Sequence, residues 1–237
     1  MKTIGLLGGM SWESTVPYYR IINQAVNERL GGLHSARIIL YSVDFDGIER
    51  LQHAGEWEEA GDVLIDAARR LETAGADFLV LCTNTMHKLA PQIENALGIP
   101  LLHIADATAL AVREAAIDTI GLLGTRFTME EEFYRGRLEK EHGLAVLVPG
   151  DDDRDTVHRV IYEELCHGKV LDASRDQFVQ IINRLTERGA EGIILGCTEI
   201  EMLMKGAPIA VPLFDTTAIH ARKAVDWALA EARGGTS

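Results

Sequence analysis

Cysteine is scarce in this chain of 237 residues, and none of its three cysteines, Cys82, Cys166 and Cys197, belongs to a C-x-x-C pair. That leaves neither a disulfide framework nor a structural zinc site, so a cysteine with a special role is expected to act as a reactive thiol. Positive charge is also short: 23 Lys and Arg stand against 36 Asp and Glu, a formal net charge of -13 with no basic cluster, which argues against nucleic-acid and anionic-membrane partners. No apolar run reaches membrane-spanning length, and the opening MKTIGLLGGM lacks the apolar core and cleavage site of a signal peptide. A cytoplasmic protein is expected. The glycine-rich GLLGGMSWEST, Gly5 to Thr15, has neither the Lys of a P-loop nor G-x-G-x-x-G spacing, so close backbone approach to a small substrate is a better reading than nucleotide binding.

What is present is an ordinary globular composition, 47% hydrophobic and 25% charged, enough for one large core or two modest ones. The run FLVLCTNTMH, Phe78 to His87, turns from apolar to small and polar within one residue. The apolar half reads as a buried parallel strand, and ligands in open α/β sheets gather at the carboxyl ends of such strands. On this stretch alone two readings stand. Cys82 is a small core residue with Thr and Asn capping the following helix, or the polar residues face a ligand.

A repeat bears on the choice. GAEGIILGCTEIE from Gly189 aligns with GADFLVLCTNTMH from Gly75, and the preceding NRLTERGAE with RRLETAGAD. TIGLLG occurs at Thr3 and again at Thr119, followed by YYR at Tyr18 and FYR at Phe133. Offsets of 114, 116 and 115 residues, together with DATA at Asp106 and DTTA at Asp215, indicate an internal duplication. The alignment sets Thr83 opposite Cys197.

The expected fold class is therefore α/β: two similar parallel-sheet domains related by pseudo-twofold symmetry, with the active site in the cleft between them. Residues 1–103 with 214–237 form the first domain and 104–213 the second. Strands are predicted near 2–8, 37–43, 77–82, 100–104, 118–124, 144–148, 192–196 and 209–214. Helices are predicted near 14–30, 56–74, 88–97, 105–116, 129–141, 154–167, 174–188 and 216–232. Equivalent strand ends facing across a cleft would bring Thr83 and Cys197 to opposite sides of one carbon. That geometry suits racemisation or epimerisation, with a thiolate as base whose pKa a strand-to-helix turn can lower. Backbone donors after Thr83, with Asn84 and Thr85, could hold a carboxylate and stabilise the enediolate-like charge, and no cofactor is required.

With GLLGGMS, TNTMH and GCTEI in order, the chain resembles the aspartate/glutamate racemase family over nearly its whole length. GGMSWEST, SVDF, CTNTMH, LHIADAT and GCTEI bring it closest to the L-aspartate/glutamate-specific and broad-specificity amino-acid racemases. The resemblance implies a cofactor-independent, metal-free isomerase acting on a small amino acid, usually as a homodimer. It also implies that Thr83 and Cys197 hold the two catalytic positions and that Met10, Gln52, Asn84, Thr85 and Thr198 line the substrate pocket. The chain departs from the family pattern in having Thr83 where most members have cysteine, with Cys82 one residue early, a slip that turns a strand side chain to the other face. A hydroxyl is a poorer base than a thiolate, so unequal use of the two enantiomers is expected. Cys166 stands where the family often has Lys, leaving Lys169 or Arg50 as replacements for recognising a distal carboxylate. The alternatives are a one-cysteine catalyst resembling arylmalonate decarboxylase and an amino-acid-binding protein with little turnover. Outside the motifs, His87 is read as orienting or structural, Asp106 and Asp215 as helix caps, and the DDDRD run from Asp151 as a solvated loop entering a helix.

Overall fold

The computed structural model describes residues 1–230; residues 231 and 232 of the expected last helix, and the rest of the expected first domain to 237, lie outside them. Among the described residues there are eight strands: β1 Ile4–Gly8, β2 Ile38–Ser42, β3 Phe78–Leu81, β4 Leu101–Leu102, β5 Thr119–Gly124, β6 Ala145–Leu147, β7 Gly192–Gly196 and β8 Leu213–Asp215. The helices are α1 Trp12–Leu30, α2 Phe45–Ala54, α3 Trp57–Thr73, α4 Ala90–Ala96, α5 Ile104–Glu114, α6 Arg126–Glu130, α7 Arg135–Lys140, α8 Asp151–Glu163, α9 Asp172–Glu187, α10 Thr198–Met204 and α11 Thr216–Leu229.

The strands form two parallel sheets ordered β2-β1-β3-β4 and β6-β5-β7-β8, the same order twice. The registers coincide as well. Leu6 pairs with Val80 in the first sheet, and Leu122 with Ile194 in the second. Those residues are 116 and 114 positions apart, the offsets at which the sequence repeats. Carried along the strand, Val80 opposite Ile194 sets Cys82 opposite Gly196 and Thr83 opposite Cys197. The duplicated helices α3 and α9 give way to their strands at Gly75 and Gly189, whose φ values of 99° and 102° suit glycine at a helix stop.

Each sheet has its own core. In the first unit Ile4, Leu6, Phe78, Val80 and Cys82 pack with Tyr18 and Ile22 of α1 and Ala221, Ala224 and Val225 of α11. In the second, Ile120, Leu122, Ile193 and Ile194 pack with Val157, Phe178, Ile182 and Leu185. Burial of about 1.5–3 kcal/mol per large apolar side chain is the main stabilising term in both. Inside the first unit, His220 faces the Leu102 carbonyl through Nε2 at 2.8 Å. That nitrogen must carry the proton, which leaves Nδ1 to accept from the Tyr18 hydroxyl at 2.8 Å.

Among the described residues the compact units are 1–82, 89–102 and 220–230, and 83–88 and 103–219. The sequence boundaries put 83–88 with the first domain. Its side chains bond instead to the second unit: Asn84 to Thr216, Thr85 to Thr125, His87 to Ile104 and Lys88 to Glu131. Three helices differ from expectation. Helix α2 forms despite Gly47 because Asp44 caps it through the Asp46 amide. The predicted helix 129–141 is broken into α6 and α7, since Glu131 adopts an extended conformation. Helix α10 is a seven-residue piece too short to announce itself by periodicity. The acidic run forms the first turn of α8 rather than a loop, where Asp151, Asp153 and Asp155 pair with Arg154, Arg184 and Arg126.

Candidate active site

The carboxyl ends of β5, β7 and β8 converge in the second unit with the segment 83–88. Thr216, at the start of α11, donates its hydroxyl proton to the Leu195 carbonyl at 2.9 Å. That proton is therefore spent, and the Asn84 group 3.1 Å from the Thr216 oxygen must be the Nδ2 donor. Asn84 Oδ1 is left buried with no hydrogen-bond partner among the described residues. An unsatisfied buried acceptor costs about 1–3 kcal/mol, which a donor-bearing ligand can relieve. Beside it, Thr85 and Thr125 share a hydroxyl contact of 3.0 Å, and Thr125 caps α6 by accepting from the Thr128 amide. Thr217 donates to Thr198 at 3.0 Å. The sequence-predicted Asn84, Thr85, Cys197 and Thr198 thus belong to one hydroxyl-rich end of one sheet.

Thr83 opens the segment half-buried, and no described group bonds to its hydroxyl. Its carbonyl receives a 2.7 Å hydrogen bond from His87 Nδ1, while His87 Nε2 accepts from the Ile104 amide at 3.2 Å. Because an amide N–H only donates, Nε2 carries no proton and His87 is the neutral Nδ1–H tautomer. The imidazole therefore fixes the Thr83 backbone to the first turn of α5. His103 caps the same helix through Nδ1 at the Ala105 amide.

Cys197 is the N-cap residue of α10 and half-buried. Its thiol donates to Glu199 Oε2 at 3.0 Å. Burial, reinforced by the Glu199 carboxylate, holds the Cys197 pKa well above the usual thiol value. The lowering expected from the strand-to-helix turn survives only as the Glu199 backbone N–H bonded to the sulfur, which burial and the Glu199 carboxylate outweigh. Nothing larger than hydrogen fits just before it: a Cβ on Gly196 would sit 2.8 Å from the Leu123 carbonyl oxygen and 3.1 Å from Thr128 Cγ2.

At the equivalent position in the first unit, Cys82 is fully buried and turned into the core, with its sulfur 3.7 Å from the Val80 carbonyl. Burial alone pushes its thiol far up, so it stays protonated. Cys166 lies in the single turn Leu165–His167, half-buried. Met10 and Gln52 belong to the first unit, both nearly buried, one following β1 and the other in α2. The turn of α2 that ends in Leu51 helps line a pocket of about 560 Å³ with Tyr41, Val43, Asp44 and Ile48. Arg50 points to solvent and pairs with Asp46, and Lys169 is exposed.

Asp215 caps α11 through the Thr217 and Ala218 amides. Asp106 is not a cap: Arg137 grips both its oxygens, Nε at 2.6 Å and Nη2 at 2.8 Å, and His142 adds a third contact. Asp106, Glu141 and His142 bring potential ligand atoms together, but with both Asp106 oxygens held by Arg137 they form an ion-pair cluster. Glu199, Thr125, Thr216 and Thr217, to which the sequence reading gave no role, bond at these same strand ends. The repeat carried the available signal, because each follows a duplicated strand end.

A duplicated α/β scaffold with a thiol and a cluster of hydroxyls at one set of strand ends defines a class of small-molecule enzyme that places its chemistry where parallel strands stop. The sequence model of the Asp/Glu/hydantoin racemase family matches residues 7–224, and the chain belongs to that family. A broad-specificity amino-acid racemase of Bacillus subtilis is 24% identical over 96% of this chain and 98% of its own. Among solved structures, an Asp/Glu racemase candidate from Yersinia pestis is 59% identical, covering 97% of this chain and 100% of its own with a TM-score of 0.91. An aspartate racemase homologue from Pyrococcus horikoshii is 34% identical over 96% and 99% of the two chains, with a TM-score of 0.83. No described helix is long and apolar enough to cross a membrane.

Proposed function

We propose that the protein is an amino-acid racemase that works without a cofactor, on L-aspartate, L-glutamate or a broader set, by moving an α-proton between Cys197 and Thr83. The observation that carries this reading is the pair of matched registers, Leu6 with Val80 and Leu122 with Ile194, which makes Thr83 the repeat counterpart of Cys197. The Cys197 thiol passes its proton to Glu199 Oε2, the acceptor 3.0 Å away, and the thiolate then takes the substrate's α-proton. The carbanion pair is delocalised into the substrate carboxylate, the Thr83 hydroxyl gives its proton to the opposite face, and the proton held on Glu199 returns through solvent to restore that hydroxyl, while Cys197 keeps the α-proton as its thiol. The substrate ammonium donates to the buried Asn84 Oδ1, while Thr85 and Thr198 hold the carboxylate. Met10 and Gln52 complete the pocket, as the family resemblance implies. The working form is a homodimer in the cytoplasm.

The test is incubation of the wild type and Cys197→Ala with L- and D-amino acids in D₂O, following α-proton loss by NMR. Wild-type exchange that disappears in Cys197→Ala is expected. Ligand binding without any deuterium incorporation would replace the racemase with a binding protein, and near-native exchange in Cys197→Ala would remove Cys197 from the mechanism.

A further inference from the structure

Helix α1 buries Ser14, Thr15, Tyr18, Ile22, Ala25 and Val26. On its other side it leaves Trp12, Val16 and Tyr19 exposed by 63%, 54% and 56%. These three recur at spacings of four and three residues, so they form one stripe on consecutive turns. Scattered exposed apolar residues are ordinary, but an aligned Trp, Val and Tyr has the composition of an interface centre. Glu13 and Arg20 are two turns apart on one side of that stripe, and neither has an ion-pair or hydrogen-bond partner among the described residues.

We propose that this face of α1 is where two copies of the chain meet, with the helices antiparallel about a two-fold axis. The charge pattern selects a second copy over another partner. A two-fold axis perpendicular to both helices keeps each flank of the stripe on the same flank in the partner and reverses its direction. Glu13 of one copy then lies opposite Arg20 of the other, twice, with the axis passing near Val16 and Pro17. Trp12 packs alongside the partner's Tyr19, and the aromatic stripe is covered by itself. The inference rests on the homodimer reading above and adds the surface that makes the dimer.

Sedimentation velocity at about 1–100 μM, the range in which modest interfaces dissociate, measures the dimer constant. Val16→Asp, which puts a charge at the centre, should raise it at least about 100-fold. Glu13→Arg and Arg20→Glu should each raise it about tenfold through like-charge contacts. The double variant E13R/R20E should return to within about threefold of wild type, because the swapped pair meets again. Val16 and Arg20 are exposed and Glu13 is half-buried at the helix start, so circular dichroism should report native folding in every variant. A dimer that Val16→Asp leaves intact, or charge reversals whose losses simply add in the double variant, overturns the surface while leaving the homodimer. A monomeric wild type at the highest concentration overturns both.

Discussion

Glu199→Gln separates two effects that the carboxylate has on Cys197. The side chain accepts the thiol hydrogen bond at 3.0 Å and, after burial, is the main influence holding the sulfur protonated. Glutamine still accepts that hydrogen bond but has no charge and cannot take the proton. Two unit charges about 3 Å apart interact by about 5 kcal/mol at an effective dielectric near 20, and solvent reaching the partly exposed residue lowers that. Even a third of it, about 1.5 kcal/mol, is roughly a tenfold gain in thiolate population. Neutralising Glu199 removes a negative charge beside a group that becomes negative on ionising, so the thiol pKa falls. Alkylation of Cys197 by iodoacetamide at pH 7.5, read by mass spectrometry of its peptide, should accelerate at least about tenfold. Exchange of the substrate α-proton should move the other way and fall by about 10²–10⁴, the usual contribution of a positioned acid/base group. The opposed directions are the test. Exchange within threefold of wild type would show that Glu199 takes no proton, and slower alkylation would show that the carboxylate was not holding the thiol protonated.

Cys82→Ala should keep α-proton exchange within about threefold while lowering stability in urea by about 1 kcal/mol for the lost core volume; exchange as low as in Cys197→Ala would show that the strand register places the wrong residue. Gly196→Ala should lower stability by about 1–3 kcal/mol, since its Cβ meets a carbonyl oxygen at 2.8 Å, and a neutral result would mean that β7 shifts freely. For Asp106, burial pushes the pKa up but the bonds and charges of Arg137 and His142 together outweigh it, so the folded value is lowered. Its contribution is present above the unfolded value near ~3.9 and is lost as pH falls through the folded one. Asp106→Asn should therefore cost about 1.5–3 kcal/mol at pH 7 and progressively less in acid unfolding below about pH 4; a gap that does not narrow refutes the pairing. Thr83→Cys should raise D-enantiomer exchange in D₂O relative to L, because a thiol replaces a hydroxyl as base; equal D and L exchange in the wild type, with no gain in the variant, removes Thr83 as the second group.

Much of the scaffold could be read from the chain because the duplication wrote it twice. TIGLLG at Thr3 and Thr119 each became the second strand of a four-strand sheet, and all eight strands lie within a few residues of their predicted positions. Long amphipathic helices such as α3 and α9 were legible for the same reason. Helices α6, α7 and α10 were not, because elements of five to seven residues have too few turns to establish a period, and their ends are fixed by contacts such as the Thr125 cap. The separation of Cys82 from Thr83 was readable from strand alternation alone, and the buried Cys82 sulfur is its physical expression.

What the chain could not disclose is how the polar residues around those strand ends spend their protons. Spacing brought Asn84 and Thr216 under attention separately, one by motif and one by repeat. Only the bond from Thr216 to the Leu195 carbonyl determines which end of the Asn84 amide is left over. The same holds for His87, whose neutral tautomer follows from the Ile104 amide on one nitrogen and the Thr83 carbonyl on the other. Cys197 is the clearest case. A strand-to-helix turn argues for a lowered pKa, yet burial, and then the carboxylate of the glutamate two residues later in the same motif, raise it. Under the proposed mechanism, a thiol that rests protonated against its own proton acceptor needs no standing thiolate: it would deliver the proton to Glu199 once a substrate carbon acid is in place. Activity should then follow occupancy of the site more than the free thiol's titration, which is why loss of the carboxylate charge is expected to make the sulfur more reactive and the enzyme slower.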